Sequence, residues 1–441
     1  MAQSVLNFAV ASTDERLTPR AGEAVFGEYL KAIGLEKLCN THFPLPRSNK
    51  GYAPFAFIQP LTLMLHSGGK SLEDTRSIAE DKALRELLKI EKVPTADATG
   101  KWLKRHGLGG VYAMETIHRR LLKRHVKRIE EPLVLDMDAT VMASQKRSAE
   151  MTYKMHPGFT PMIGHLNGGY VIHSELRSGN IPPADHNLDF LKRCIAQLPK
   201  GRSLAYLRAD SASYQHALFD YCEERNITYT IGARLDRRTL DEINALTRWT
   251  PIETKQGRHH RVTEEVAEFW HTMQKGAHAF RVIVIKRSTT PLLPGMWEML
   301  SAEEQLALAH ERYSVIATNA DPDTMDAEAV VHFYRQRGET SENRIKELKG
   351  GFGIHHLPSS DFIANAFYFQ IVVLAYNLFR LFKATLDSSW QKHTIQTLRY
   401  KLYNIAGKVV THSRQMTLKV QHESVEMLTA IRKKIYMISL E

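Results

Sequence analysis

The stretch EPLVLDMDATV, residues 131–141, marks the point at which the chain changes from helical to mixed structure. It is a short apolar run that ends in two carboxylates, Asp136 and Asp138, which is the pattern of a strand buried in a sheet. Two later strand-like runs, SLAYLRAD ending at Asp210 and TYTIGAR at 228–234, each follow a segment with helical periodicity. Strands that alternate with helices in this order predict an α/β core.

This core is interrupted along the chain. Residues 162–179, MIGHLNGGYVIHSELRSG, place a Gly-Gly turn between two strand-like runs and predict a hairpin. Residues 235–312 contain polar turns and the strand FRVIVIKR, and we interpret them as a mainly β insertion inside the core domain. The strand YSVIATN, residues 313–319, returns to the core.

Both flanks of the core are predicted to be helical and basic. Residues 71–90 repeat apolar positions at helical spacing, and a turn with a short basic helix follows. This pattern predicts either a helix-turn-helix or an ordinary helical hairpin. The next helix, at about 112–129, carries a row of cations that suits phosphate contacts: Arg119, Arg120, Lys123, Arg124, Lys127 and Arg128. The segment 386–441 is rich in Lys and Arg and is also predicted to be helical.

The bulk composition favours a polyanionic partner. Over 441 residues the formal net charge is +11, which points first to nucleic acid and second to an anionic membrane surface. The three cysteines are scattered, so we expect neither a disulfide framework nor a zinc site. The most apolar stretch, 364–382, is interrupted by polar residues, and no signal peptide is recognised. We therefore expect a soluble, cytoplasmic protein that does not enter a membrane.

The stretch YRQRGETSENRIKELK, residues 334–349, combines a carboxylate with cations on one helix face. Glu342 and Lys349 are about two helical turns apart, with Lys346 between them. Such a face suits a metal ion held against a phosphate, whereas the alternative interpretation is a solvated helix with charge pairs.

The spacing resembles the Y-R-E-K motif of bacterial insertion-sequence transposases of the DDE type. Four residues separate Arg337 from Glu342, where the usual pattern has three. DMDATV and LRADSASY are similar to the two aspartate motifs of the same family. The resemblance implies three catalytic, metal-binding carboxylates: Asp138, Asp210 and Glu342. It also implies four DNA contacts: Tyr334, Arg337, Lys346 and Lys349.

The choice between the first two acids rests on that motif. Asp136 and Asp138 are two residues apart and fall on the same face of a strand, so strand alternation does not separate them. The match of Asp138 and Thr140 to the family's Asp-x-Thr favours Asp138.

The resemblance also implies an architecture. It is an RNase H-like catalytic domain, residues 131–234 and 313–385, split by the β-rich insertion at 235–312. Residues 1–130 would be the helical region that binds DNA ends, and 386–441 the basic helical C-terminal region.

The implied reaction is cleavage of double-stranded DNA at transposon ends and transfer of the 3′-OH into target DNA. It would use Mg²⁺ or Mn²⁺, as two ions, and a homodimer on DNA in the bacterial cytoplasm at the nucleoid. Two alternatives remain: an RNase H-like nuclease without strand transfer, and a DNA-binding protein that has lost catalysis.

Other residues carry weaker signals. His259–His260 and His355–His356 have no third partner at metal-ligand spacing and are interpreted as surface histidines. Three tryptophans in the insertion suit either stacking on a flipped base or core packing: Trp249, Trp270 and Trp297.

Overall fold

The structure is a computed structural model that describes residues 9–46, 51–256, 260–287, 295–338 and 342–439. The chain forms two compact units. Unit 1 consists of Met1–Ile117, Leu348–Ser359 and Ile363–Glu441, and unit 2 of His118–Glu347 and Ser360–Phe362. The domain boundaries expected from the sequence stay predictions.

The strands of the described chain lie mostly in unit 2. They are β1 Leu17–Thr18, β2 Leu133–Ala139, β3 Met142–Ala143, β4 Glu150–Met151, β5 Pro157–Phe159, β6 Met162–Leu166, β7 Val171–Glu175, β8 Leu204–Ala209, β9 Thr228–Gly232, β10 Thr250–Gln256, β11 His260–His271, β12 Phe280–Lys286, β13 Tyr313–Thr318, β14 Gly407–His412 and β15 Gln415–Val420.

The helices occupy both units. They are α1 Ala21–Ala32, α2 Leu35–His42, α3 Pro54–Ser67, α4 Arg76–Glu80, α5 Lys82–Leu88, α6 Ala96–Lys127, α7 Asn187–Ala196, α8 His216–Glu224, α9 Arg237–Asn244, α10 Met296–Met299, α11 Ala302–Arg312, α12 Ala327–Arg337, α13 Asn343–Lys346, α14 Phe362–Thr385, α15 Ile395–Leu398 and α16 His422–Ser439.

A nine-stranded mixed sheet forms the core of unit 2, in the order β10-β11-β12-β13-β9-β8-β2-β6-β7. β2, β8 and β9 run parallel, and the other neighbours are antiparallel, so the α/β class is confirmed. The predicted hairpin at 162–179 is β6 and β7. Leu133, Leu135 and Met137 of β2 are buried, as expected for a central strand that is covered by other elements.

The strands of segment 235–312 extend this same sheet. β10, β11 and β12 form an antiparallel series that joins the rest of the sheet through β13. Their apolar residues and those of α12 share one buried cluster that includes Ile252, Val266, Ile283, Ile316, Val330 and Val331. This cluster holds α12 against the sheet and thereby fixes its last turn, which carries Tyr334 and Arg337.

Unit 1 is built around α14. Phe382 of this helix contacts Phe26 edge-on at 5.4 Å, and Phe367 packs against Trp102 at 4.8 Å. By length and apolar composition α14 is able to cross a membrane, but most of it is buried inside the protein. It is therefore a core helix, as the polar residues within it predict.

The prediction that 386–441 is helical is wrong for residues 407–420. GKVVTH and QMTLKV pair as the hairpin of β14 and β15, and β1 adds a third strand. The turn consists of Ser413 and Arg414, which both have left-handed backbone conformations with φ of 50° and 68°. Two such residues make the type I′ turn that matches strand twist, so this hairpin forms without the usual glycine or asparagine signal.

Candidate active site

Two of the predicted acids lie at the same edge of the central sheet. β2 and β8 are parallel neighbours, with Met137 opposite Ala209. Asp138 therefore stands near the end of β2, and Asp210 directly follows the end of β8. The carboxyl ends of adjacent parallel strands meet at one edge, where α/β sheets commonly build their sites.

Arg337, the last residue of α12, lies between these two carboxylates. Its Nη2 is 3.6 Å from Asp138 Oδ1 and 4.0 Å from Asp210 Oδ2. The other oxygen of Asp210, Oδ1, accepts a hydrogen bond of 3.1 Å from the Ala212 backbone N–H. The side chains of Asp138 and Arg337 are 13% and 12% exposed, so the pair is largely shielded from water.

The pKa of Asp138 is shifted by its burial and by the charged groups around it. Burial raises the pKa of Asp138 to about 6, Arg337 opposes this rise, and the negative charges of Asp210, Glu342 and Asp136 add to it. The part of the rise that comes from neighbouring carboxylates would be offset by a cation bound among them.

Tyr334 belongs to the same cluster. Its hydroxyl lies 2.9 Å from the position that a Cβ would take at Gly232, at the end of β9. A side chain at Gly232 would therefore displace the Tyr334 ring. Burial raises the pKa of Tyr334, Arg337 lowers it, and the charges of Asp210 and Asp138 raise it further.

Glu342 stands at the rim of the cluster. Its charge reaches Asp138, but its side chain is largely exposed, and its Oε2 lies 3.9 Å from Lys346 Nζ. Gly338 and Glu342 both have π-helical geometry, and residues 339–341 lie outside the described part of the chain.

The two lysines of the motif lie in different units. Lys346 is exposed beside Glu342 in unit 2. Lys349 belongs to unit 1, in the π-helical turn Glu347–Gly351. There its charge contributes, after burial and the charges of His356 and Lys70, to a lowered pKa of His355.

Asp136 has a different environment from Asp138. It is 1% exposed and forms a two-pronged ion pair with Arg208, with Nε–Oδ1 and Nη2–Oδ2 distances of 2.6 and 2.9 Å. Arg208 also donates to the Phe333 carbonyl and to Gln336 Oε1, which ties the sheet to α12. Arg344 Nη1 lies 3.7 Å from Asp136 as well. Asp136 is thus engaged in a buried structural network.

The sequence interpretation missed Arg208. A signal for it existed, because Arg208 precedes Asp210 by two residues in β8 and so falls on the same strand face, beside the two acids of β2. Also missed was Tyr153, whose pKa is raised by burial and then by the charges of Asp210 and Asp138.

The weaker signals have these positions. The rings of His355 and His356 contact one another at 4.0 Å. Trp249 stacks on Tyr313, Trp270 is exposed, and Trp297 lies in the short helix α10. His259 lies outside the described residues, as does the side chain of His260.

The donor set suits a hard divalent cation. Asp138, Asp210 and Glu342 offer only oxygen ligands, which Mg²⁺ prefers. Arg337 already places a positive charge between the two aspartates. Within the described ranges, no three Asp, Glu, His or Cys side chains are close enough to enclose an ion.

The comparisons with known proteins are consistent with this chemistry. The family model of the transposase DDE domain group 1 matches residues 4–436, nearly the whole chain. A search of the curated proteins finds no match. Enzymes of this family cleave and transpose DNA, and DDE transposases use divalent metal ions. The chain belongs to the transposase DDE domain family.

Proposed function

We propose that this transposase works by cut and paste: it cleaves phosphodiester bonds at transposon ends and joins the freed 3′-OH to target DNA. The observation that carries the proposal is the position of Arg337 between Asp138 and Asp210, at the ends of two parallel strands. Paired carboxylates with an adjacent guanidinium suit a phosphodiester, because the acids suit metal ions and the guanidinium suits phosphate oxygens.

Asp138, Asp210 and Glu342 would hold the divalent cations, Mg²⁺ or Mn²⁺, as two ions. Bound there, the ions would activate the attacking oxygen and stabilise the leaving one. Burial is the main cause of the raised pKa of Asp138, and the charges of Asp210 and Glu342 add to it. This second contribution supports the role, because a bound cation would relieve the repulsion among the carboxylates.

The remaining polar residues would hold the DNA. Arg337 and Tyr334 lie close enough to Asp138 and Asp210 to orient a phosphate there. Lys346 and Lys349 would contact phosphates further along the strand. Additional phosphate contacts would come from cations in the last turns of α6 and just beyond it, which are exposed: Arg119, Arg120, Lys123, Arg124, Lys127 and Arg128.

The architecture and cellular setting belong to the same proposal. The strand order is β9-β8-β2-β6-β7, in which β6 is antiparallel to both of its neighbours, β2 and β7, and β8 and β9 are parallel to β2. This arrangement supports an RNase H-like core. Two ends must be brought together during cut and paste, so we propose a homodimer on DNA. The protein would act in the bacterial cytoplasm, at the nucleoid.

Strand transfer separates this proposal from a nuclease. A labelled duplex taken from the DNA that flanks the gene, with a free 3′-OH at the element end, is incubated with the protein, Mg²⁺ and a supercoiled plasmid. We expect the label to become covalently joined to the plasmid. A matched duplex with a 3′-dideoxy end lacks the nucleophile and should give no joined product.

Two other outcomes would replace the proposal. Cleavage of an uncut duplex without joining of the precut one indicates an RNase H-like nuclease. Tight binding with neither reaction indicates a DNA-binding protein without catalysis.

A further inference from the structure

A small three-stranded sheet follows the first catalytic strand directly. We call this sheet, residues 142–159, the flap. Its strand order is β3-β5-β4. Its base is joined to the end of β2, because the Thr140 N–H donates to the Pro161 carbonyl at 3.0 Å and Ala139 pairs with Met162. Asp138 and the flap therefore leave the same edge of the central sheet.

The base of the flap is well packed. Phe159 is fully buried, and it pairs with Ser178 in an isolated bridge. A side chain added at Gly179 would lie 2.3 and 2.4 Å from the carbonyl oxygens of Glu150 and Gly158. This close backbone approach fixes the flap against the segment after β7.

The tip of the flap is a tight turn formed by residues 153–155. The Thr152 N–H and its hydroxyl both donate to the His156 carbonyl, at 3.0 and 2.8 Å, and the Met155 N–H donates to the Thr152 carbonyl at 2.9 Å. Met155 has a φ of 60°, which is a strained conformation for a residue with a long side chain. The turn therefore holds its side chains outward in defined positions.

The flap exposes apolar and cationic side chains together. Tyr153 is 56% exposed and Met155 is 82% exposed, although both are large. Three cations are also exposed on the flap: Lys146, Arg147 and Lys154. Lys154 Nζ lies over the Tyr153 ring, 5.9 Å from its centroid. Single-stranded nucleic acid offers both flat bases and phosphates to a surface that combines an aromatic ring with cations.

Tyr153 lies in the turn between β4 and β5, on the flap that leaves the same sheet edge as Asp138. Burial raises its pKa, and the charges of Asp210 and Asp138 raise it further. The ring at the same time keeps most of its surface accessible. Because the flap leaves the same sheet edge as Asp138, a ring on it would contact the nucleotide whose phosphate is at the carboxylates.

We propose that the flap is a DNA-contacting element in which Tyr153 stacks on an unpaired base beside the phosphate that is cleaved, while Lys154 and its neighbours contact the backbone. This inference rests on the proposed function and adds to it a subsite for a single nucleotide. Stacking on a base needs an aromatic ring but no hydroxyl, so phenylalanine and tryptophan should replace Tyr153.

The test compares single-turnover cleavage of the flanking-DNA duplex by wild type, Tyr153→Ala, Tyr153→Phe and Tyr153→Trp in Mg²⁺. We expect Tyr153→Ala to cleave about 10-fold more slowly and the two aromatic variants to stay within about 3-fold of wild type. Two further duplexes each carry one abasic site, placed on one side of the cut in the first duplex and on the other side in the second. On the duplex that lacks the stacked base, wild type should be as slow as Tyr153→Ala. Tyr436→Ala, which removes another exposed tyrosine, serves as the control.

The outcomes separate this inference from the proposed function. If wild type cleaves and Tyr153→Ala cleaves equally well, the flap inference is wrong and the proposed function stands. The same holds if Tyr153→Ala retains its full defect relative to wild type on both abasic duplexes, because the ring then acts on something other than a base. If wild type does not cleave, the proposed function fails and takes the flap inference with it.

Discussion

Replacing Asp138 by Asn will slow DNA cleavage by roughly 10³-fold or more, because the variant loses a charged oxygen ligand at the proposed metal site. Asp210→Asn should have an effect of the same size. Both side chains lie at the sheet edge beside Arg337, and neither substitution changes the volume of the side chain appreciably. DNA binding should persist in both variants, since the cations of α6 are unchanged.

The same Asp138→Asn substitution should not destabilise the protein above neutral pH. The folded-state pKa of Asp138, about 6, lies above its ordinary value of 3.8. A raised acid pKa means that the folded state binds the proton more tightly, so stability falls as the pH rises from about 4 through 6. Above pH 7 the ionised group therefore costs up to about 3 kcal/mol, which asparagine removes. A substitution that removes activity but preserves stability identifies a residue that serves function and not folding.

Cleavage assays and urea unfolding at pH 5 and pH 8 measure these two effects. Asp189→Asn provides the control, because Asp189 is an exposed acid on α7. An Asp138→Asn variant that cleaves DNA at the wild-type rate would remove Asp138 from the proposed catalytic site. A variant that unfolds more easily at pH 8 would show that its carboxylate is a structural group instead.

Replacing Asp136 by Asn should instead lower the stability of the protein, with no separate effect on cleavage. We expect a loss of about 3–5 kcal/mol in the free energy of unfolding, because the substitution leaves the buried Arg208 guanidinium without its charged partner. Any loss of cleavage should follow the loss of folded protein. Two acids that are two residues apart on one strand face are thus expected to differ completely in their effects.

A double-mutant cycle identifies the cause. Asp136→Asn, Arg208→Met and the double variant are compared by urea unfolding, and the double variant should be less destabilised than the sum of the two single variants. A coupling energy near zero would mean that the ion pair contributes nothing. Wild-type stability together with absent cleavage in Asp136→Asn would identify Asp136, not Asp138, as the catalytic acid.

Much of the α/β core was predictable because its strands are short apolar runs that end in acids. Such a pattern reports burial on both faces and a polar sheet edge, and both are local properties of the sequence. The transposase family was likewise predictable, since the sequences around Asp138, Asp210 and Glu342 resemble motifs of that family.

The features that were missed depend on contacts between distant parts of the chain. Asp136 and Asp138 have the same strand alternation, and only the pairing of β2 with β8 shows that Arg208 engages the first of them. Tyr153 lies in a flap whose strands have two or three residues, too few to show a period. The hairpin at 407–420 turns through Ser413 and Arg414, which carry no turn signal in the sequence.

Metal-dependent cleavage by wild type and Glu342→Gln tests the central claim most directly. A labelled duplex carrying the DNA that flanks the gene is incubated with each protein in Mg²⁺ and, separately, in EDTA. We predict nicking at the element end by wild type in Mg²⁺ alone, and none by Glu342→Gln, because the variant lacks the third carboxylate. Equal cleavage by both proteins, or cleavage that continues in EDTA, would contradict the proposed site.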